Sequence, residues 1–139
     1  MTIAEKKQQL VAQLAALTNS QDRLAYLVKC GRQHPPLDTA FKTDAFRVEG
    51  CLANVWFVAE SVEGRCYFET DSDSAIVKGI AAVLCDFYSG HTPEEIASTD
   101  PSFLDKFGIT QHLTPNRRNS LAKIWGKIQT FAASAKCEA

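Results

Sequence analysis

No stretch of this chain approaches the ~20 consecutive apolar residues needed to cross a bilayer, so a membrane-spanning helix is not expected. There is no CxxC pair, and the five cysteines, Cys30, Cys51, Cys66, Cys85 and Cys137, are an odd number. That pattern argues against a disulfide scaffold and against a tetrahedral zinc site, so each thiol is read singly. There is no basic excess either. Lys and Arg number 15 against 16 Asp and Glu, for a net charge of −1, which gives no support to nucleic-acid binding. The opening Met1-Thr2-Ile3-Ala4-Glu5-Lys6-Lys7 lacks the apolar core of a signal peptide, and the expected location is the cytoplasm. Repeats and low-complexity segments are absent.

What is there suits one globular domain. The 139 residues are 45% hydrophobic and 22% charged, enough to bury one core, and a single domain over 1–139 is expected. Charge is unevenly spread: residues 1–50 sum to +2, residues 51–100 to −7 and residues 101–139 to +4. Two readings fit that spread, three solvated faces or a polarised surface that orients a docking partner.

Helix signals open the chain. Thr2 and Glu5 are spaced as a capping box, and Ile3, Leu10, Leu14 and Leu17 follow at roughly helical spacing. A second helix is predicted from Asn19-Ser20-Gln21-Asp22, with Gly31 suited to end it and His34-Pro35-Pro36 forbidding continuation. The pattern then changes. Phe46 to Glu49, Asn54 to Ser61 and Arg65 to Thr70 are short and rich in Val, Phe, Trp and Tyr, with a tight turn at Glu63-Gly64. They predict an antiparallel sheet of three strands. Asp71-Ser72-Asp73-Ser74 supplies capping oxygens for a buried helix carrying Ile76, Val77, Ile80, Val83, Leu84, Phe87 and Tyr88. Thr92-Pro93-Glu94-Glu95, Asp100-Pro101 and Thr114-Pro115 are three further helix starts. The expected fold is α+β: N-terminal helices, the three-stranded sheet, then C-terminal helices packed on one face.

Cys66 and Cys85 fall inside regular elements and read as small core residues, Cys30 as the half-buried close of a helix, and Cys137 as incidental. Cys51 sits at the tip between two predicted strands, directly after Gly50. It is either a functional thiol on a movable loop or a buried loop anchor beside Leu52. A cysteine nucleophile for acyl transfer wants a histidine base. His34, His91 and His112 lie at helix edges or loops without such a signature, and His112 reads first as a capping or packing residue.

Three blocks then carry a resemblance. Val48-Glu49-Gly50-Cys51-Leu52-Ala53-Asn54-Val55-Trp56 resembles the VxGCxSxVW signature of SufE-like sulfur acceptor proteins. Asp71-Ser72-Asp73-Ser74-Ala75-Ile76-Val77-Lys78-Gly79 resembles the family's DSDAAIVKG, and Leu113-Thr114-Pro115-Asn116-Arg117 its LTPSR. Ala53, Asn116 and Ser120 depart from the pattern. The resemblance implies a fold similar to IscU-type scaffolds. It further implies that Cys51 accepts persulfide sulfur from a SufS-like, pyridoxal-phosphate-dependent cysteine desulfurase, stimulates that enzyme and passes sulfur to an iron–sulfur scaffold complex. The chain would then be an accessory protein with a cysteine persulfide intermediate, not a stand-alone enzyme. Pyridoxal phosphate would belong to the partner, with no cofactor or metal of the chain's own. Gly50 is expected to serve as the loop hinge, and Asp73, Arg117 and His112 are candidates for partner contact or loop bracing. Two alternatives are an allosteric desulfurase activator that takes no sulfur and an IscU-like metal or cluster scaffold.

Overall fold

In the computed structural model of the chain, residues 2–51, 53–107 and 115–138 are described. Among them the order is α1 (Ile3–Ala15), α2 (Ser20–Gln33), β1 (Val55–Val62), β2 (Arg65–Ser72), α3 (Ala75–Tyr88), α4 (Pro93–Ser98) and α5 (Pro115–Glu138). Tighter 3-10 turns occupy Thr39–Phe41, Asp44–Phe46 and Pro101–Phe107. The architecture is α+β, and no helix among the described residues is long and apolar enough to cross a membrane.

The helix starts follow their caps. The side chains of Thr2, Asn19, Ser74 and Thr92 each accept the backbone N–H three residues on, from Glu5, Asp22, Val77 and Glu95. At Thr92 the Glu95 carboxylate returns the bond, and Pro93 stands first in the helix. Two boundaries differ from expectation. Of the block 71–74, only Ser74 caps α3; Asp71 and Ser72 complete β2. Gly31 does not end α2, which runs on to Gln33 and stops where the Pro35-Pro36 pair forces the chain out.

The sheet has two strands among the described residues, not the three expected. β1 and β2 pair antiparallel from Val55↔Ser72 to Val62↔Arg65, through a two-residue turn at Glu63-Gly64 with φ of 52° and 79°. The stretch Phe46 to Glu49 contributes one bridge, Arg47 opposite Trp56, and one further bond from Val48 N–H to the Val55 carbonyl at 2.7 Å. The reason is local. Phe46 is taken up by a 3-10 turn and Glu49-Gly50 by a reversal, which leaves too few extended residues for a ladder.

One sheet face is the inner one: Val55, Phe57, Cys66, Phe68 and Thr70 are buried on it. α3 lies against β2 and is buried along most of its length, with α2 crossing it closely. That crossing depends on two glycines. A Cβ on Gly31 would stand 2.9 Å from the Gly79 nitrogen, and one on Gly79 would run into the Leu27 carbonyl. Gly79→Ala should therefore destabilise the protein by about 3 kcal/mol through overpacking, read as a lowered urea midpoint at unchanged slope.

A second junction is polar. Asp71 is 4% exposed, yet its carboxylate receives the Leu37 N–H at 3.2 Å, the Ser72 N–H at 2.8 Å, Lys42 Nζ at 2.8 Å and Lys78 Nζ at 3.4 Å. Burial alone pushes its pKa up, but Lys42, the two N–H groups and Lys78 together outweigh burial and hold it below the ordinary value. A depressed pKa contributes stability that is present above the unfolded-state value, near 4, and is lost as pH falls through the folded one. Asp71→Asn should cost about 2 kcal/mol near neutral pH. The gap to wild type in urea midpoint should narrow as pH drops below about 4.

Candidate functional site

The site is a loop of a few residues held at both ends. On its first side, Gly50 has φ of +85°, a left-handed backbone that a side chain would strain. The Gly50 carbonyl accepts Nδ2–H of Asn119, from α5, at 2.7 Å. The Lys123 stem lies against the same glycine, so that a Cβ there would meet its Cε at 3.1 Å.

On the second side, Asn54 is clasped by Asp73. The Asn54 backbone N–H and Nδ2–H donate to the two Asp73 oxygens at 3.1 and 2.9 Å. The Asn54 carbonyl accepts the Asp73 N–H at 3.2 Å and the Ser72 hydroxyl at 2.7 Å. Asp73 is thus bonded to the end of the loop and does not cap α3. Arg117 stands half-buried in the first turn of α5, two residues before Asn119. His112 and the Cys137 side chain lie outside the described residues.

Between the two tethers, Cys51 is turned inward. It is 7% exposed and joins the apolar core with Val48 and Val55, while Ala53 packs half-buried against them. Of the two readings left open for Cys51, a thiol on a loop and a buried anchor, the structure shows a feature of each: the residue lies in a loop, and its side chain is buried.

The other described thiols lie inside regular elements. Cys66 and Cys85 are fully buried within β2 and α3, and burial pushes both thiols up, Cys85 most strongly. Cys30 is half-buried near the end of α2, and burial raises it too. A thiol held protonated inside a regular element is a poor nucleophile. The histidines are engaged elsewhere. His34 Nδ1 lies 3.0 Å from Asp86 Oδ1 while its Nε2 accepts the Thr70 N–H at 3.4 Å, which places the proton on Nδ1. His91 is 2% exposed, faces Glu95 at 3.4 Å, and is kept below its usual pKa first by burial. No three His, Cys, Asp or Glu side chains among the described residues stand together as a metal site.

Asn119 and Lys123 were missed from sequence. They carry no motif, and their contact with residue 50 joins positions about seventy residues apart. Asn54 and Asp73 lie inside blocks that were singled out, although nothing in either block indicated that the two would meet.

The fold matches that of a hypothetical protein from Thermus thermophilus solved in solution, with a TM-score of 0.77 at 21% identity over 95% of this chain and 96% of that one. At that identity the likeness concerns the fold alone. The family model described as the Fe-S metabolism associated domain, SufE, matches residues 8–132, a span that includes both tethers and the Cys51 loop. A two-stranded α+β domain with a cysteine loop pinned between α5 and the end of β2 is thus the form this sequence gives to that domain, and the chain belongs to the SufE family.

Proposed function

We propose that this protein is a sulfur acceptor and carrier in iron–sulfur metabolism, and that Cys51 is the residue that carries the sulfur. The observation supporting it best is the setting of Cys51: a sheltered thiol in a loop fastened by polar bonds, not woven into a helix or strand. Such bonds can open without unfolding the domain. Family membership supplies the metabolic context.

The donor in this reading is a pyridoxal-phosphate-dependent cysteine desulfurase that holds sulfur as a cysteine persulfide. The Cys51 thiolate attacks the outer sulfur, the sulfur–sulfur bond of the donor persulfide breaks, and the donor thiolate leaves. Cys51-S-SH forms in its place with no net oxidation. A nucleophile on the iron–sulfur scaffold complex then takes the outer sulfur and returns Cys51 to its thiolate. Three sulfurs must approach in line, so Cys51 has to come out from beneath the loop to react. Gly50 and the Asn54–Asp73 clasp are the points at which the backbone swings and opens. On return, Val48, Val55 and Ala53 shield the persulfide from oxidants.

Intact mass spectrometry after incubation with desulfurase and cysteine should show one added sulfur, mapped to the Cys51 peptide and absent from Cys51→Ser. Added mass on Cys30, Cys66 or Cys85 would overturn the assignment. Stimulation of the desulfurase that survives Cys51→Ser undiminished would favour an activator that takes no sulfur.

The clasp gives a second test. Asp73→Ala leaves the Asn54 N–H groups without their acceptors, and Cys51 should be alkylated by iodoacetamide about ten-fold faster, with the thermal midpoint little changed. An unchanged alkylation rate would show that Asp73 does not hold the loop shut.

A further inference from the structure

Some described lysines of this protein are tied into the fold and others are not. Lys6 donates to the carbonyls of Asp86, Phe87 and Ser89 at 2.9 to 3.3 Å, fastening α1 to the end of α3. Lys42 and Lys78 are spent on Asp71. Lys123 and Lys127 are different. Both are exposed on α5, and neither forms an ion pair with any described residue. They follow Asn119 at successive intervals of four, so the three residues share one flank of the helix. That flank touches the Cys51 loop: Asn119 bonds the Gly50 carbonyl, and Lys123 lies along Gly50, its Nζ 3.5 Å from where a Cβ would stand.

The surrounding charge gives the flank a direction. Residues 101–139 sum to +4 and residues 51–100 to −7. On the hairpin, Glu60, Glu63 and Glu69 are exposed. Near the loop itself, Glu49, Arg47 and Asp73 are also exposed, and on the α5 side Lys123, with Lys127 one turn further on, adds two positive charges. A rim of acidic side chains on another protein would be drawn to this flank and repelled by the hairpin, which selects one orientation of approach.

We infer that the Asn119–Lys123–Lys127 flank of α5 is a docking edge for the sulfur donor, and that it receives an acidic rim around the donor's persulfide. This rests on the sulfur-acceptor reading, and the test separates the two. Binding to the desulfurase is measured by calorimetry in a Cys51→Ser background, where no sulfur transfer is required. Lys123→Glu with Lys127→Glu should raise Kd about five-fold and flatten the dependence of Kd on salt, because exposed charge pairs are individually weak and screened. Lys29→Glu, on the exposed side of α2, serves as a control for charge reversal at a distance and should change Kd little. Thermal midpoints should stay together, since all three lysines are solvent-exposed. A double variant that binds as tightly as its parent with the same salt dependence would overturn the inference, as would a parent protein with no affinity for the desulfurase. If the wild-type protein binds in this salt-dependent way but Cys51 never gains sulfur, the docking edge stands and the acceptor role falls.

Discussion

Asp71 is where the connector after α2 is joined to the end of β2 and the start of α3. Its carboxylate takes a backbone N–H from the connector after α2, an ammonium from Lys42 further along that connector, and another from Lys78 in the first turn of α3. A buried carboxylate without such partners would be costly, so these three groups, the adjacent Ser72 N–H and the charge require one another. The connector leads directly into Arg47, Val48 and the Cys51 loop. Fixing it to the end of β2 places the loop beside Asp73, two residues further on. The position of the thiol is therefore set by a charge buried at some remove from it, with apolar packing filling the space around.

Much of this was legible along the chain and some was not. Caps and proline starts are local devices, and Thr2, Asn19, Ser74 and Thr92 begin their helices where the side-chain chemistry requires. The Glu63-Gly64 turn is equally local. The third strand was misread because Val48 and its neighbours have strand composition, while a strand also needs enough consecutive extended residues, which the 3-10 turn at Phe46 and the reversal at Glu49-Gly50 do not leave. Gly31 was misread for a related reason. A glycine near a helix end suits a stop, but here it makes room for Gly79 across an interhelical contact that no local rule reveals. Cys51 stood out through its glycine neighbour and its family signature. Its inward orientation, and the Asn119 bond that holds the loop, depend on tertiary structure alone.

Burial sorts the thiols by what they can do. Cys66 and Cys85 sit in elements whose backbone is committed to ladder or helix bonds, so exposing either sulfur would break secondary structure. Cys51 is nearly as sheltered, yet it lies in a loop. A similar degree of burial therefore carries two different costs of exposure.

The loop's fastenings have one more consequence. Asn119 grips a backbone carbonyl of Gly50, and Asp73 and Ser72 grip the backbone of Asn54; among the described residues of the loop, the Asn54 amide is the one side chain that joins in these bonds. A path held mainly by its main chain places little demand on the side chains it carries. The face shown to a partner can drift through substitution while the trajectory of the loop persists. This division leaves room for the surface of the loop to be altered without the scaffold being refolded.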